Sequence, residues 1–181
     1  MLQLTSLLTT IVAWKSVSVD DFGAIGDNST DNTKAFRAAL AAVIGGGEVL
    51  VPSAGVYQTA PINLTSNVVL RVEGTMRAVA DRSKFPKIAV LPSVGHDYDT
   101  NGPVRYHPFV MTDCSPTKRC ANITVTGSGV IDGAGAYWWT KASRALNHGA
   151  GRPHLMELNS VDGGTTHNER ILLIPFFIIS L

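Results

Sequence analysis

The chain has 181 residues, 45% of them hydrophobic and 16% charged, and 15 Lys and Arg against 14 Asp and Glu leave a formal net charge of +1. That balance excludes a disordered chain, which would carry fewer apolar residues, and a nucleic-acid binder driven by bulk charge. The length suits one domain or part of a larger one, and 17 Gly with 9 Pro favour short strands and turns over long helices.

Residues 1–14 (MLQLTSLLTTIVAW) are apolar enough for the hydrophobic region of an export signal. No Lys or Arg precedes them, however, and 11–13 (IVA) is a poor small-residue cleavage site. Residues 1–16 are therefore set apart as a candidate leader, too short to span a bilayer. A helix is predicted over 31–44. Asp31 or Thr30 caps it, Ala35, Phe36, Ala39, Leu40 and Val43 recur at three- and four-residue spacing, and Gly45, Gly46 and Gly47 end it. Strands are predicted at 48–52, 67–72, 109–111 and 122–126, each β-branched or alternating and bounded by Gly, Pro, Asn or Ser.

Cys114 and Cys120 lie in the polar stretch 112–120 (TDCSPTKRC), where they can close one small loop. Two cysteines cannot make a four-ligand zinc site, and their spacing is not that of a redox Cys-x-x-Cys. A disulfide implies an oxidising compartment, and Asn-x-Ser/Thr sequons at Asn28, Asn63 and Asn122 point the same way.

Two segments resemble each other: 67–76 (NVVLRVEGTM) and 122–131 (NITVTGSGVI) both start at Asn, run through strand formers and reach a Gly turn. Short strands joined by turns fit a β-sandwich or a solenoid, and the repeat favours the solenoid. In a parallel β-helix each coil stacks on the next at roughly 4.8 Å, its inward residues form an apolar ladder, and the helix covers the open first coil.

These residues carry a resemblance. VDDFGAIGD at 19–27, TDNTKAF at 30–36, GGGEVLVP at 45–52 and AGVY at 54–57 resemble the opening of the pectin-lyase-like right-handed β-helix proteins. The segments that follow are NGPVRYHPFV at 101–110, VTGSGVIDGAG at 125–135, YWW at 137–139 and RPHLME at 152–157. In that order they are similar to the polygalacturonases, glycoside hydrolase family 28. The resemblance implies an all-β, right-handed parallel β-helix over 17–160 with an N-terminal capping helix, acting on pectin by inverting hydrolysis of α-1,4-galacturonan. Inversion places two carboxyl groups roughly 6.5 to 9.5 Å apart, with room for a water between base and anomeric carbon. It also implies an extracellular or cell-wall location.

The family's catalytic Asn-Thr-Asp, Asp-Asp, Gly-His-Gly and Arg-Ile-Lys motifs are not found. Asp20-Asp21 belongs to the opening motif, Thr30-Asp31-Asn32 has the wrong order, Asn147-His148-Gly149 and Gly95-His96-Asp97 each miss by one residue, and Arg170-Ile171-Leu172 lacks the lysine. After Asp162 the alternating pattern is lost, and 161–181 reads as a divergent tail ending in the uncharged run ILLIPFFIISL at 171–181. The expectation is therefore a truncated β-helix without catalytic residues, monomeric if complete and prone to aggregate as a fragment.

Asp97, Asp99, Asn101 and Gly102 resemble half a calcium loop, but Pro103 and Pro108 stand where ligands are needed, so a polar loop is expected. Gly127, Gly129 and Gly133 lack dinucleotide-loop spacing, and no metal or cofactor site is expected. Tyr137, Trp138 and Trp139 are candidates for stacking on sugar rings, although packing on the solenoid is favoured. The partner expected is an anionic pectic polysaccharide, with no nucleic acid and no membrane. Three functions stay open: a polygalacturonase-like hydrolase, a non-catalytic polysaccharide-binding module, and an inert truncated product.

Overall fold

Gly47–Val51 and Val68–Val72 bury every second residue, the period of a strand with one face in a core. The computed structural model describes residues 14–89, 104–115, 117–139, 152–163, 165–168 and 179–180, the last two segments by backbone alone. Most of the candidate leader, the half calcium loop, the near-miss histidine motifs and most of the apolar run lie outside the described residues.

Three parallel ladders form the walls. The first joins Lys15–Ser18, Gly47–Val51, Val68–Val72, Ile123–Gly127 and Thr165–Asn168 in that hydrogen-bonded order. The second joins Asp27–Asp31, Val56–Thr59, Thr75–Ala78 and Val130–Asp132. The third joins Ile62–Leu64, Val110–Thr112, Met156–Glu157 and Ile179–Ser180. The chain visits the walls in turn, so each strand pairs with its counterpart one coil away, and the solenoid expected from the repeat is a parallel β-helix.

The inward positions stack in register. Val17, Val49, Leu70 and Val125 line the first wall, Tyr57, Met76 and Ile131 the second, and Ile62, Val110 and Met156 the third, all buried. Each fully buried aliphatic contributes about 1.5–3 kcal/mol relative to exposure. The Asn-initiated repeats align because Asn67 (φ 61°) and Asn122 (φ 54°) occupy equivalent left-handed turns one coil apart, where Asn122 Nδ2 donates to Asn67 Oδ1 at 2.9 Å. A second turn stacks glycines. A Cβ on Gly74 would lie 2.1 Å from the Pro52 carbonyl oxygen, and one on Gly129 would lie 2.0 Å from that of Gly74.

Helix α1 (Thr33–Ala42) closes the first coil with Phe36 and Ala39 fully buried. It starts later than expected. The cap position is Asn32, whose side chain instead accepts from Ile25 N and donates to the Ile25 and Thr30 carbonyls, while Asp31 takes the Thr33 N–H at 3.0 Å. Residues 27–31 are a strand because Asp27 accepts from Ser29 N and Thr30 N and holds that segment against Val56–Thr59. Lys15 and Ser16 belong to the first strand, and the first ladder continues through Thr165–Asn168.

Candidate functional site

An acid–base pair needs one carboxyl group whose proton is retained near neutral pH and a second free to activate water. Among the described residues every Asp and Glu is engaged in a structural contact. Asp21 accepts from Ser18 N and Asp20 from the Tyr57 hydroxyl, so the adjacent acidic pair fastens the opening turn. Glu48 pairs with Arg71, Asp132 with Arg77, Asp113 with Lys118, and Asp31 with Lys84. Hydrogen bonds hold several carboxyls below their ordinary range: at Asp27 from the Thr30 backbone N–H, at Glu73 from the Ser128 hydroxyl, at Asp81 from the Ser83 hydroxyl, and at Asp162 from Arg119. At Asp31 burial pushes upward, but the bonds from Thr33 and the Lys84 charge outweigh it. Each shift favours the ionised form, the opposite of what a general acid requires.

Among the described residues the one fully enclosed carboxylate is Glu157, on the outward side of the third ladder and 0% exposed. It is covered by the strand Val104–Tyr106, from which Arg105 reaches it bidentately, Nη1 to Oε2 at 2.5 Å and Nη2 to Oε1 at 2.8 Å. Asn159 Nδ2 donates to Oε1 and His154 Nδ1 lies 3.3 Å from Oε2. Burial raises the Glu157 carboxyl, yet the bonds from His154, Arg105 and Asn159, with the Arg105 charge, outweigh it and bring it to about 2. Such a group fastens a covering segment onto a coil and does not exchange protons near neutrality. The sequence reading missed it, and the only signal was an acidic residue inside the apolar segment LME at 155–157.

The aromatic candidates separate. Trp138, on the short helix α2 (Gly135–Trp139), is 2% exposed and meets Phe85, Tyr106 and Tyr137 edge to face with centroids 5.1–5.5 Å apart. Sugar stacking at Trp138 is therefore ruled out by burial, and packing accounts for it. Tyr137 is half-buried, its hydroxyl accepts from Arg82 N at 3.1 Å, and the Arg82 guanidinium lies 5.4 Å from its ring. Trp139 is half-buried under the Arg152 guanidinium, 4.1 Å from its ring centroid.

Cys114 and Cys120 are joined by a disulfide, Cα to Cα 5.6 Å, closing the loop before the strand Cys120–Ala121. All three sequon asparagines are exposed. Asn28 Oδ1 accepts from Arg77 Nη1 and Asn122 belongs to the asparagine stack, whereas no hydrogen bond occupies the Asn63 side chain among the described residues. No group of three or more His, Cys, Asp or Glu gathers as metal ligands among the described residues.

Comparison with known proteins places the coils. The family model described as rhamnogalacturonase A/epimerase, pectate lyase-like, matches residues 16–169. A probable polygalacturonase of Vitis vinifera is 34% identical over 155 residues, which are 79% of this chain and 29% of that protein. A polygalacturonase of Persea americana is 32% identical over 133 residues, 71% of this chain and 24% of its own. Among solved structures, the hyperthermoactive exopolygalacturonase from Thermotoga maritima is similar with a TM-score of 0.65 and 26% identity, covering 84% of this chain and 40% of that one. The polygalacturonase from Erwinia carotovora ssp. carotovora gives a TM-score of 0.57 and 26% identity over 78% of this chain and 39% of its own. The shared fold is the right-handed parallel β-helix. The chain spans 24–29% of the length of these two curated relatives.

Proposed function

The chain belongs to the rhamnogalacturonase A/epimerase, pectate lyase-like family, and on that premise we propose that it is a galacturonan-directed β-helix of the polygalacturonase type. Its 181 residues bind the anionic polysaccharide without cleaving it. The observation that carries the substrate class is the 34% identity over 155 residues to a probable polygalacturonase. The observation that carries the absence of cleavage is the state of the described carboxylates, each held in a structural contact. Inverting hydrolysis needs a protonated acid at the leaving oxygen and a carboxylate-activated water opposite, and positioned acid–base groups contribute about 100- to 10,000-fold each.

The disulfide between Cys114 and Cys120 supports an extracellular or cell-wall setting, where pectin is found and thiols oxidise. Native gels cast with polygalacturonate test the binding reading. The protein is expected to be retarded there and to run freely in gels cast with neutral galactan. Equal mobility in both gels contradicts a galacturonan ligand.

A further inference from the structure

Two cavities meet along the outer face of α1 and share Arg37. One, ≈350 Å³, lies between Leu40, Ala41 and Ile44 of the helix region and Pro61, Asn63, Thr65, Pro86 and His107. The other, ≈540 Å³, is lined by Asp31, Thr33, Lys34, Ala60, Ser83 and Lys84. Each is within the size range of sites that take small ligands, about 300–1,000 Å³.

The charge in this groove is one-sided. Among the described residues that line it, Asp31 is the one carboxylate and is already paired with Lys84 at 3.2 Å. Lys34 and Arg37 stand three positions apart on α1, where side chains are neighbours on one helix face. Both are exposed, and neither has a carboxylate partner among the described residues. A compact multivalent anion such as phosphate would have Asp31 as a neighbour in the same groove. Single negative charges recurring along a linear ligand fit the spaced cations better.

The remainder of the lining suits a sugar chain. Pro86 and Leu40 offer apolar surface to ring C–H faces, and Ile44 is left 70% exposed at the rim. The Asn63 side chain and Thr65 supply hydrogen-bonding groups. His107 adds an acceptor: its Nδ1 lies 2.6 Å from the Pro108 carbonyl, which accepts only, so Nδ1 carries the proton and Nε2 is left as the acceptor. Burial holds that imidazole below its ordinary 6.5, which favours its neutral form.

We propose that the α1 groove is a binding site for a short stretch of galacturonate chain. Lys34 and Arg37 take successive sugar carboxylates, and Asn63, Thr65 and His107 take ring hydroxyls. The proposal rests on the pectic reading above and adds where on the chain the ligand is held.

Isothermal titration of the intact 181-residue chain with hexagalacturonate tests it. The Lys34→Gln/Arg37→Gln variant is expected to bind about tenfold more weakly, the effect of losing two exposed charge contacts. The Arg71→Gln/Arg119→Gln variant, which removes the same charge from other faces, is expected to bind as the parent does, and neutral galactohexaose is expected not to bind. Thermal unfolding of each variant checks that the fold is retained. Hexagalacturonate binding that is unchanged in Lys34→Gln/Arg37→Gln overturns the groove and leaves the pectic reading standing. Equal weakening in both variants reduces the effect to net charge and overturns the groove as well. A parent chain that binds no hexagalacturonate overturns both.

Discussion

The Arg105 guanidinium grips the Glu157 carboxylate with two hydrogen bonds across 52 residues of sequence, and the pair is closed from solvent at 5% and 0% exposure. A buried pair is not worth its Coulomb energy outright, because desolvation offsets most of it. Removing one partner leaves the other charge buried and uncompensated. Arg105→Met and Glu157→Met are each expected to destabilise the fold by about 3–5 kcal/mol in urea unfolding, and the double substitution to recover much of that loss. Additive losses in the double variant contradict the coupling.

The same carboxylate sets an acid limit. Its proton affinity in the fold is depressed to about 2 from the ordinary 4.5. The stability linked to it is therefore fully present above about pH 4.5 and is lost as pH falls toward 2. Asp31, Asp81 and Asp162 are shifted in the same direction and steepen the loss. The expected outcome is a midpoint temperature that eases downward below about pH 6.5, where the buried His107 imidazole resists protonation in the fold, and falls more steeply below about pH 4.5, with a smaller acid fall in Arg105→Met/Glu157→Met. An acid profile identical in that variant would falsify the assignment to Glu157.

At Gly129 two coils approach closely. A methyl group there would meet the Gly74 carbonyl oxygen at 2.0 Å, backbone that cannot swing aside as a side chain can. Gly129→Ala is expected to cost about 1–3 kcal/mol, the range of overpacked sites. Gly23→Ala is the contrasting case, since the added carbon meets nothing within 4 Å and only the left-handed φ of 82° opposes it. Urea midpoints of the two variants separate steric crowding from backbone strain, and a Gly129→Ala protein as stable as the parent contradicts the stacked-turn account.

The disulfide closes a loop with a sequence separation of only 6, so the unfolded chain is little constrained by it. Chain-entropy arithmetic gives about 2 kcal/mol for a loop this short. Cys114→Ser/Cys120→Ser is expected to lower stability by that amount while leaving the far-ultraviolet spectrum unchanged. Thiol titration of the denatured, unreduced parent protein is expected to find no free thiol among these two residues.

The wall strands were legible where one face is buried, because alternation in Gly47–Val51, Val68–Val72 and Ile123–Gly127 writes the core directly into the sequence. Asn67 and Asn122 revealed the coil repeat, since the left-handed turn they share favours asparagine at both positions. Short strands such as Ile62–Leu64 and Met156–Glu157 were not legible: with two or three residues there is no period to read, and only their parallel neighbours define them. Trp138 and Glu157 were obscure for a related reason. Burial of Trp138 depends on Phe85 and Tyr106, and that of Glu157 on the Arg105 segment, all distant in sequence. The cationic groove was hidden because Lys34 and Arg37 look like an ordinary solvated helix face until Asn63, Pro86 and His107 are brought opposite them.

This β-helix is expected to hold galacturonan and leave it whole. Native mass spectrometry of the 181-residue chain, incubated with hexagalacturonate at pH 5 and sampled over hours, reads complex and products together. The expected result is a protein–hexasaccharide complex whose bound and free ligand both keep the mass of the intact hexamer. Shorter oligogalacturonates absent from a heat-inactivated control, or a chain that carries no hexasaccharide at any ligand concentration, would contradict it.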